Sequence, residues 1–205
     1  GNPVVQATTD TAGQFVLENV PVTDDLPLVL QVGKWRRPLT LPRVAECQDT
    51  PLTVEQARLP RNQGEGDIPQ MALTTGGADA LECMLRKIGL DDAEFTTNAG
   101  TGRVHLYGGS GGTPAFAPAL GGQSFADATT VWDTVDPLRT YDVVFLSCEG
   151  GQNPGSKPAT ALQAMQDYTT LGGRVFASHW HNYWIEAGPA PFPSTIKANH
   201  RADLG

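Results

Sequence analysis

The spacing of apolar positions divides the chain in two. Residues 4–9 lead into Asp10-Thr11-Ala12-Gly13, a turn with glycine placed for positive φ. Residues 14–20 follow, with Phe15 and Leu17 alternating against Gln14, Val16 and Glu18. Residues 21–25 read as a loop, and residues 28–32 and 39–41 as two more strands around the turn at 33–37. The pattern predicts a β-meander over 1–44, an incomplete sandwich because three or four short strands rarely close one. Residues 45–66 hold Pro51, Pro60, Gly64 and Gly66 with little periodicity, and read as a linker.

From residue 67 strands alternate with helices. Residues 70–74 form a strand, Thr75-Gly76-Gly77 a turn, and residues 78–88 a helix; a second strand covers 103–107 and a helix 128–138. Residues 141–147 are almost uniformly apolar, as suits a strand covered on both faces. Residues 158–171 predict a helix with Pro158 in its first turn, and residues 174–177 a fourth strand. This alternation implies parallel βαβ units with right-handed crossovers. The expected order sets 71–74 beside 141–147, flanked by 104–107 and 174–177, the arrangement of a flavodoxin-like parallel sheet. The Gly-rich segment 108–122 reads as a mobile loop. After Trp184 no further helix is expected, so the α/β domain, residues 67–205, reads as incomplete at its C-terminus.

Composition narrows the class. With 205 residues, 40% hydrophobic and 18% charged, the chain can bury a core; 23 glycines and 16 prolines suit a loop-rich secreted protein. A net charge of −8 without a basic cluster larger than Lys34, Arg36 and Arg37 argues against nucleic acid as a partner. No apolar run approaches the ~20 residues that span a bilayer. On a helical wheel of roughly 100° per residue, Cys83 falls opposite Leu81, Leu85, Ile88, Ala78 and Met84. A cysteine on a polar face points to a disulfide, and Cys47 in its polar loop is the expected mate, which implies an oxidising compartment. The alternative is a thiol covered by the neighbouring module. Cys148 is then the odd thiol.

Candidate chemistry gathers where two strands end. Tyr141–Gly151 closes on Ser147, Cys148 and Glu149, and Gly172–Asn182 on Ser178, His179 and His181. Parallel strands present such ends at one rim, where ligands bind. Cys148, Glu149 and His179 are the candidate catalytic set, a thiolate–imidazole pair with a carboxylate; the competing reading makes Cys148 a small buried filler. His179 and His181, two apart on an extended segment, would point the same way and with Glu149 or Cys148 could ligate zinc; otherwise they are a hydrogen-bonded pair in an aromatic rim, with no cofactor required. Thr75, Gly76 and Gly77 precede a helix and offer N–H groups to an anion, or serve only to reverse the chain. Trp180 and Trp184, with Ser178, Tyr183 and Tyr107, could stack on a sugar such as a surface polysaccharide, or cover another part of the polypeptide or a second copy.

Two resemblances follow from these motifs. Residues 3–41, with the Thr9-Asp10-x-x-Gly13-x-Phe15 core, resemble the later strands of carboxypeptidase regulatory-like domains, small β-sandwiches of secreted and surface proteins. Residues 67–184 resemble the class I glutamine amidotransferase-like and ThuA-like α/β domains. The whole arrangement is similar to a family of large secreted bacterial proteins, some labelled tryptophan synthase alpha chain; the eightfold βα repeat of that label is not in this pattern. The family's members extend beyond both ends of this chain, so the resemblance implies a secreted or cell-envelope location and further N- and C-terminal parts of the same polypeptide as partners. Residues 146–151 match the amidotransferase strand that ends in small glycines. Residues 177–181 match its Gly-x-Cys-x-Gly elbow, which places His179 where the nucleophilic cysteine stands. Imidazole there removes the covalent step. The resemblance thus implies a surface binding or structural module; the alternative is a hydrolase or metal-dependent enzyme at the same rim.

Overall fold

The computed structural model describes residues 3–190. The described residues form two compact units, residues 3–60 with Glu65–Asp67, and Arg61–Gly64 with residues 68–190.

In the first unit, β1 (Thr23–Val32) and β2 (Trp35–Val44) form an antiparallel hairpin around Gly33-Lys34, with Gly33 at φ 58°. Leu26 and Leu28 face Leu41 and Leu39 across the ladder, so one face carries the leucines. The turn at Asp10 forms as expected: its carboxylate accepts the N–H groups of Ala12 and Gln14, both at 2.8 Å. The strands expected on either side of it do not form. Val4 is 82% and Val16 74% exposed, and an alternating segment with no surface to cover has nothing to hold it in a ladder. The expected meander is a single hairpin. Part of the expected linker is ordered by a short helix, α1 (Val54–Ala57), whose Thr53 and Gln56 cap each other reciprocally. Trp35 Nε1 donates to the Pro60 carbonyl at 2.9 Å, and Arg36 and Asp67 exchange two backbone hydrogen bonds.

The second unit is α/β. Its strands are β3 (Met71–Thr74), β4 (Phe95–Thr97), β5 (Val104–Gly108), β6 (Ala126–Asp127), β7 (Val143–Leu146) and β8 (Arg174–Ala177). They make one sheet in the order β4-β5-β3-β7-β8, with β6 beside the end of β5, and every ladder is parallel. The four expected strands lie in their expected order; β4 and β6, two or three residues long, carry too little pattern to be read. Helix α2 (Leu81–Lys87) is shorter than expected, and its C-terminal neighbour Ile88 is exposed. The helix expected over 128–138 is two, α3 (Thr129–Trp132) and α4 (Val135–Leu138), because Thr134 turns extended at φ −139°. Helix α5 (Ala159–Thr170) starts after Pro158, whose fixed φ suits that position.

The core lies between the sheet and α3–α5. Ala72, Val144 and Leu146 from the strands meet Val131, Trp132, Leu138, Ala161, Met165 and Tyr168. Within it the Tyr107 and Tyr141 hydroxyls lie 2.6 Å apart, and Tyr141 Oη is 2.9 Å from His105 Nδ1. Burial pushes both tyrosines above their ordinary range and His105 below its own. Tyr168, whose hydroxyl donates to the Tyr141 carbonyl at 3.1 Å, is pushed up by burial to about 12.

Two further expectations change. Residues 108–113 are not a loose loop: Gly109 N–H reaches Thr75 Oγ1 at 3.3 Å, and Thr75 Oγ1 donates to the Thr113 carbonyl at 2.9 Å. The expected Cys47–Cys83 disulfide is not formed. Both thiols are exposed, and an exposed thiol needs no bridge to account for its place on a polar face.

Candidate functional site

The carboxyl ends of β3, β7 and β8 converge, and four local decisions build the site there. First, the chain leaves β3 through Thr75-Gly76-Gly77. A Cβ on Gly76 would fall on the Cys148 carbonyl, so only glycine permits this approach. Ala78 N–H then donates to that carbonyl at 2.9 Å. Gly77 in turn lies against Gly111, so backbone of the 109–112 loop covers the turn.

Second, Asp79 reaches across the strand ends. Its Oδ1 accepts the Cys148 N–H at 2.6 Å, and its Oδ2 accepts the Ser178 hydroxyl. Asp79 falls inside the helix expected over residues 78–88, but α2 starts two residues later, at Leu81.

Third, Glu149 is buried and paired. Lys157 Nζ donates to Glu149 Oε2 at 2.6 Å; Ser110 N–H donates to Oε1 at 3.0 Å, and Asn153 Nδ2 to Oε2 at 3.2 Å. Burial works against the charge, but Lys157 and the two further donors outweigh it and hold the carboxyl below its ordinary range. Lys157 also donates to the Gln152 carbonyl at 3.0 Å and lies 5.7 and 5.9 Å from the ring centroids of Trp132 and Trp184. Lys157 sits in a polar Pro-Gly-Ser-Lys-Pro run whose pattern announces a loop, and nothing in it signals a buried cation.

Fourth, residues 179–182 coil into a 3-10 turn instead of extending, with His179 at φ 38°. The two imidazoles therefore part, contrary to the expected shared direction. His181 is 1% exposed; its Nε2 lies 2.8 Å from the Ser147 carbonyl, and Trp184 Nε1 donates to its Nδ1 at 3.1 Å. Those partners require the neutral tautomer with the proton on Nε2. Burial pushes this imidazole below its ordinary value; Lys157 acts in the same direction, and Glu149, the Ser147 carbonyl and Asp79 oppose them. His179 is exposed, with its Nδ1 3.5 Å from Cys148 Sγ and its ring against Trp180 at 5.1 Å.

The expected residues thus sort into two groups. Thr75, Cys148, Glu149, His179 and His181 do share the rim, but the nearest group to Glu149 is Lys157 and not an imidazole. Trp184 leaves the rim altogether, buried edge-on against Trp132 at 5.2 Å, and Tyr107 is buried as well. Trp180 remains half-exposed. With both His181 nitrogens occupied, His179 and His181 are not a joint ligand pair, and no group of three metal-ligating side chains occurs among the described residues. What the arrangement can do chemically rests on Cys148 and His179: a thiol within hydrogen-bonding distance of an imidazole, next to a carboxylate that holds both segments. Set against protein-family models, curated proteins and solved structures, the chain matches none.

Proposed function

We propose that this chain is a secreted protein of the bacterial cell envelope whose α/β unit works as a binding or structural module. In this reading the second unit is flavodoxin-like and related to the amidotransferase and ThuA-like domains. The first unit is part of a regulatory-like β-sandwich, and both continue in the remaining polypeptide.

One observation carries the proposal. At the switch point of the sheet, where open α/β folds bind and transform their ligands, the crevice is filled by the chain's own backbone at residues 109–112. The rim groups are spent inside as well: Glu149 on Lys157, His181 on Ser147 and Trp184, Asp79 on Cys148 and Ser178. The turn at His179 supports the kinship: a strand, a residue at positive φ and a short helix, α6 (Tyr183–Glu186), follow one another as in a nucleophile elbow, with imidazole in the nucleophile's place. The Phe145 and Phe176 rings lie 5.8 Å apart, tilted by 37°, near the β8 edge, with Phe176 46% exposed, an apolar surface suited to a polysaccharide or a second copy.

The contact between Cys148 and His179 favours the second reading, a hydrolase working through that thiol. The test compares wild type with Cys148→Ala and His179→Ala on glutamine, peptide-amide and ester substrates, alongside co-sedimentation with isolated envelope polysaccharide. The binding reading expects no turnover attributable to either residue and retention unaffected by Cys148→Ala. Turnover abolished by either substitution overturns it.

A further inference from the structure

We propose that Cys148 and His179 form a thiol–imidazole pair that takes up one equivalent of a soft electrophile, and that Asp79 is its positioning residue. This goes beyond the binding reading and does not depend on it, since a thiol modified once performs no turnover.

The two side chains come from different strand ends. The last paired positions of β7 and β8 are Leu146 and Ala177, so the ladder stops before either Cys148 or His179. Beyond that point the Ser178 N–H still donates to the Leu146 carbonyl at 3.1 Å and His181 Nε2 meets the Ser147 carbonyl, and the segment after β3 adds the contacts that reach Cys148 itself. Asp79 accepts the Cys148 N–H with one oxygen and the Ser178 hydroxyl with the other, and the Ala78 N–H holds the Cys148 carbonyl. One carboxylate therefore fixes the residue that carries the thiol and the residue just before the imidazole. The resulting Sγ–Nδ1 distance of 3.5 Å is that of a thiol hydrogen-bonded to nitrogen. The other charged or titratable groups at these strand ends are Glu149, Lys157 and His181, and all three are engaged with partners of their own.

Cys148 itself is 2% exposed; its partner His179 stands at the surface, and Gly150, two residues after Cys148, has nothing within 4 Å of its Cβ position, so an approach to the sulfur runs past these two residues. A small alkylating reagent is the suitable probe. With iodoacetamide, the sulfur attacks the methylene carbon as its proton passes to His179 Nδ1; the S–C bond forms, the C–I bond breaks and iodide leaves. The imidazolium then returns the proton to water. A thioether does not hydrolyse, so uptake stops at one equivalent.

The experiment is timed alkylation of the folded protein at neutral pH, with peptide-level mass spectrometry to separate Cys148 from the exposed Cys47 and Cys83. Wild type is expected to label at Cys148 to one equivalent. His179→Gln should slow that reaction on the order of 100-fold, the ordinary share of a general base. Asp79→Ala should slow it at least about tenfold. Asp79→Asn should stay within about threefold of wild type, because the amide still accepts from Cys148 and can donate to Ser178; a charge effect would not survive that change. Should Asp79→Ala not fold, Ser178→Ala removes one arm of the clamp and carries the same expectation of slower labelling. Cys148 left unlabelled in folded wild type, or labelled equally fast in His179→Gln, overturns the pair. Unchanged rates in Asp79→Ala or Ser178→Ala overturn the role of Asp79. Catalytic turnover of a substrate would instead overturn the binding reading, so the two failures are distinct.

Discussion

Lys157 Nζ lies 2.6 Å from Glu149 Oε2, and water reaches neither: their side chains are 0% and 2% exposed. An ion pair so placed contributes little against an apolar replacement of both partners, but a great deal against loss of one. Lys157→Met is therefore expected to destabilise the protein by about 3–5 kcal/mol, because it strands the Glu149 carboxylate in the interior. The double variant Lys157→Met/Glu149→Leu should recover part of the loss. Urea unfolding of the two single variants and the double variant measures the coupling directly.

Acid should weaken the fold in two separate windows. His181 is held neutral, below its ordinary 6.5, mainly by burial, and burial lowers His105 likewise. A folded value below the unfolded one means that the unfolded state binds the proton first, so stability falls as pH drops below about 6.5. Glu149, held below its ordinary 4.5, keeps its contribution until pH falls below about 4.5. Unfolding midpoints measured from pH 7.5 to 3.5 should decline in both ranges. In His181→Gln the slope between pH 6.5 and 5, a range set by the imidazole's ordinary value, should become shallower. An unchanged slope would mean that His181 does not govern it.

Glycine substitutions should divide by what lies next to them. At Gly76 a methyl group would meet the Cys148 carbonyl, and at Gly109 the Thr75 carbonyl, so alanine at either site is expected to cost about 1–3 kcal/mol by forcing backbone apart. Gly155, with nothing within 4 Å, is the control and should tolerate alanine within about 0.5 kcal/mol. Thermal midpoints of the three variants decide the matter, and a Gly155 variant as impaired as the others would defeat the explanation.

The tyrosine network gives a fourth expectation. Tyr141→Phe removes the hydroxyl shared by Tyr107 and His105, leaving the buried Tyr107 hydroxyl and the half-buried His105 ring without that partner. The expected loss is about 1–3 kcal/mol. Tyr107→Phe leaves the Tyr141–His105 contact in place and should cost less, which paired denaturant titrations would register.

Much of the sheet was legible in the sequence because its strands are short apolar runs ending in Gly-rich turns, and parallel βαβ rules leave few orders for them. The rim position of Cys148 and His179 followed from those strand ends. What could not be read depended on partners distant in the chain. Alternation over residues 4–20 describes a strand only if a surface exists to receive it, and Val4 and Val16 found none. A lysine becomes a core residue only through its carboxylate and the tryptophans around it, none of which its own loop predicts. The divergence of His179 and His181 hangs on one dihedral, the positive φ of His179, which a two-residue spacing cannot express. Asp79 was passed over for a related reason: its partner Ser178 lies 99 positions away.

The central place of β3 also sets an order in time. Its two neighbours come from later in the chain, and the Gln70–Asp142 contact at the base of the β3–β7 pair already spans 72 positions. Such pairings require loops to close before the contacts that reward closure exist, which makes refolding slow. The β3–β5 and β7–β8 ladders pair residues only about 30 positions apart, so by loop length each can close before β3 finds β7. In pulse-labelled hydrogen exchange the amides that join β3 and β7 should therefore gain protection last, after those of the β3–β5 and β7–β8 ladders.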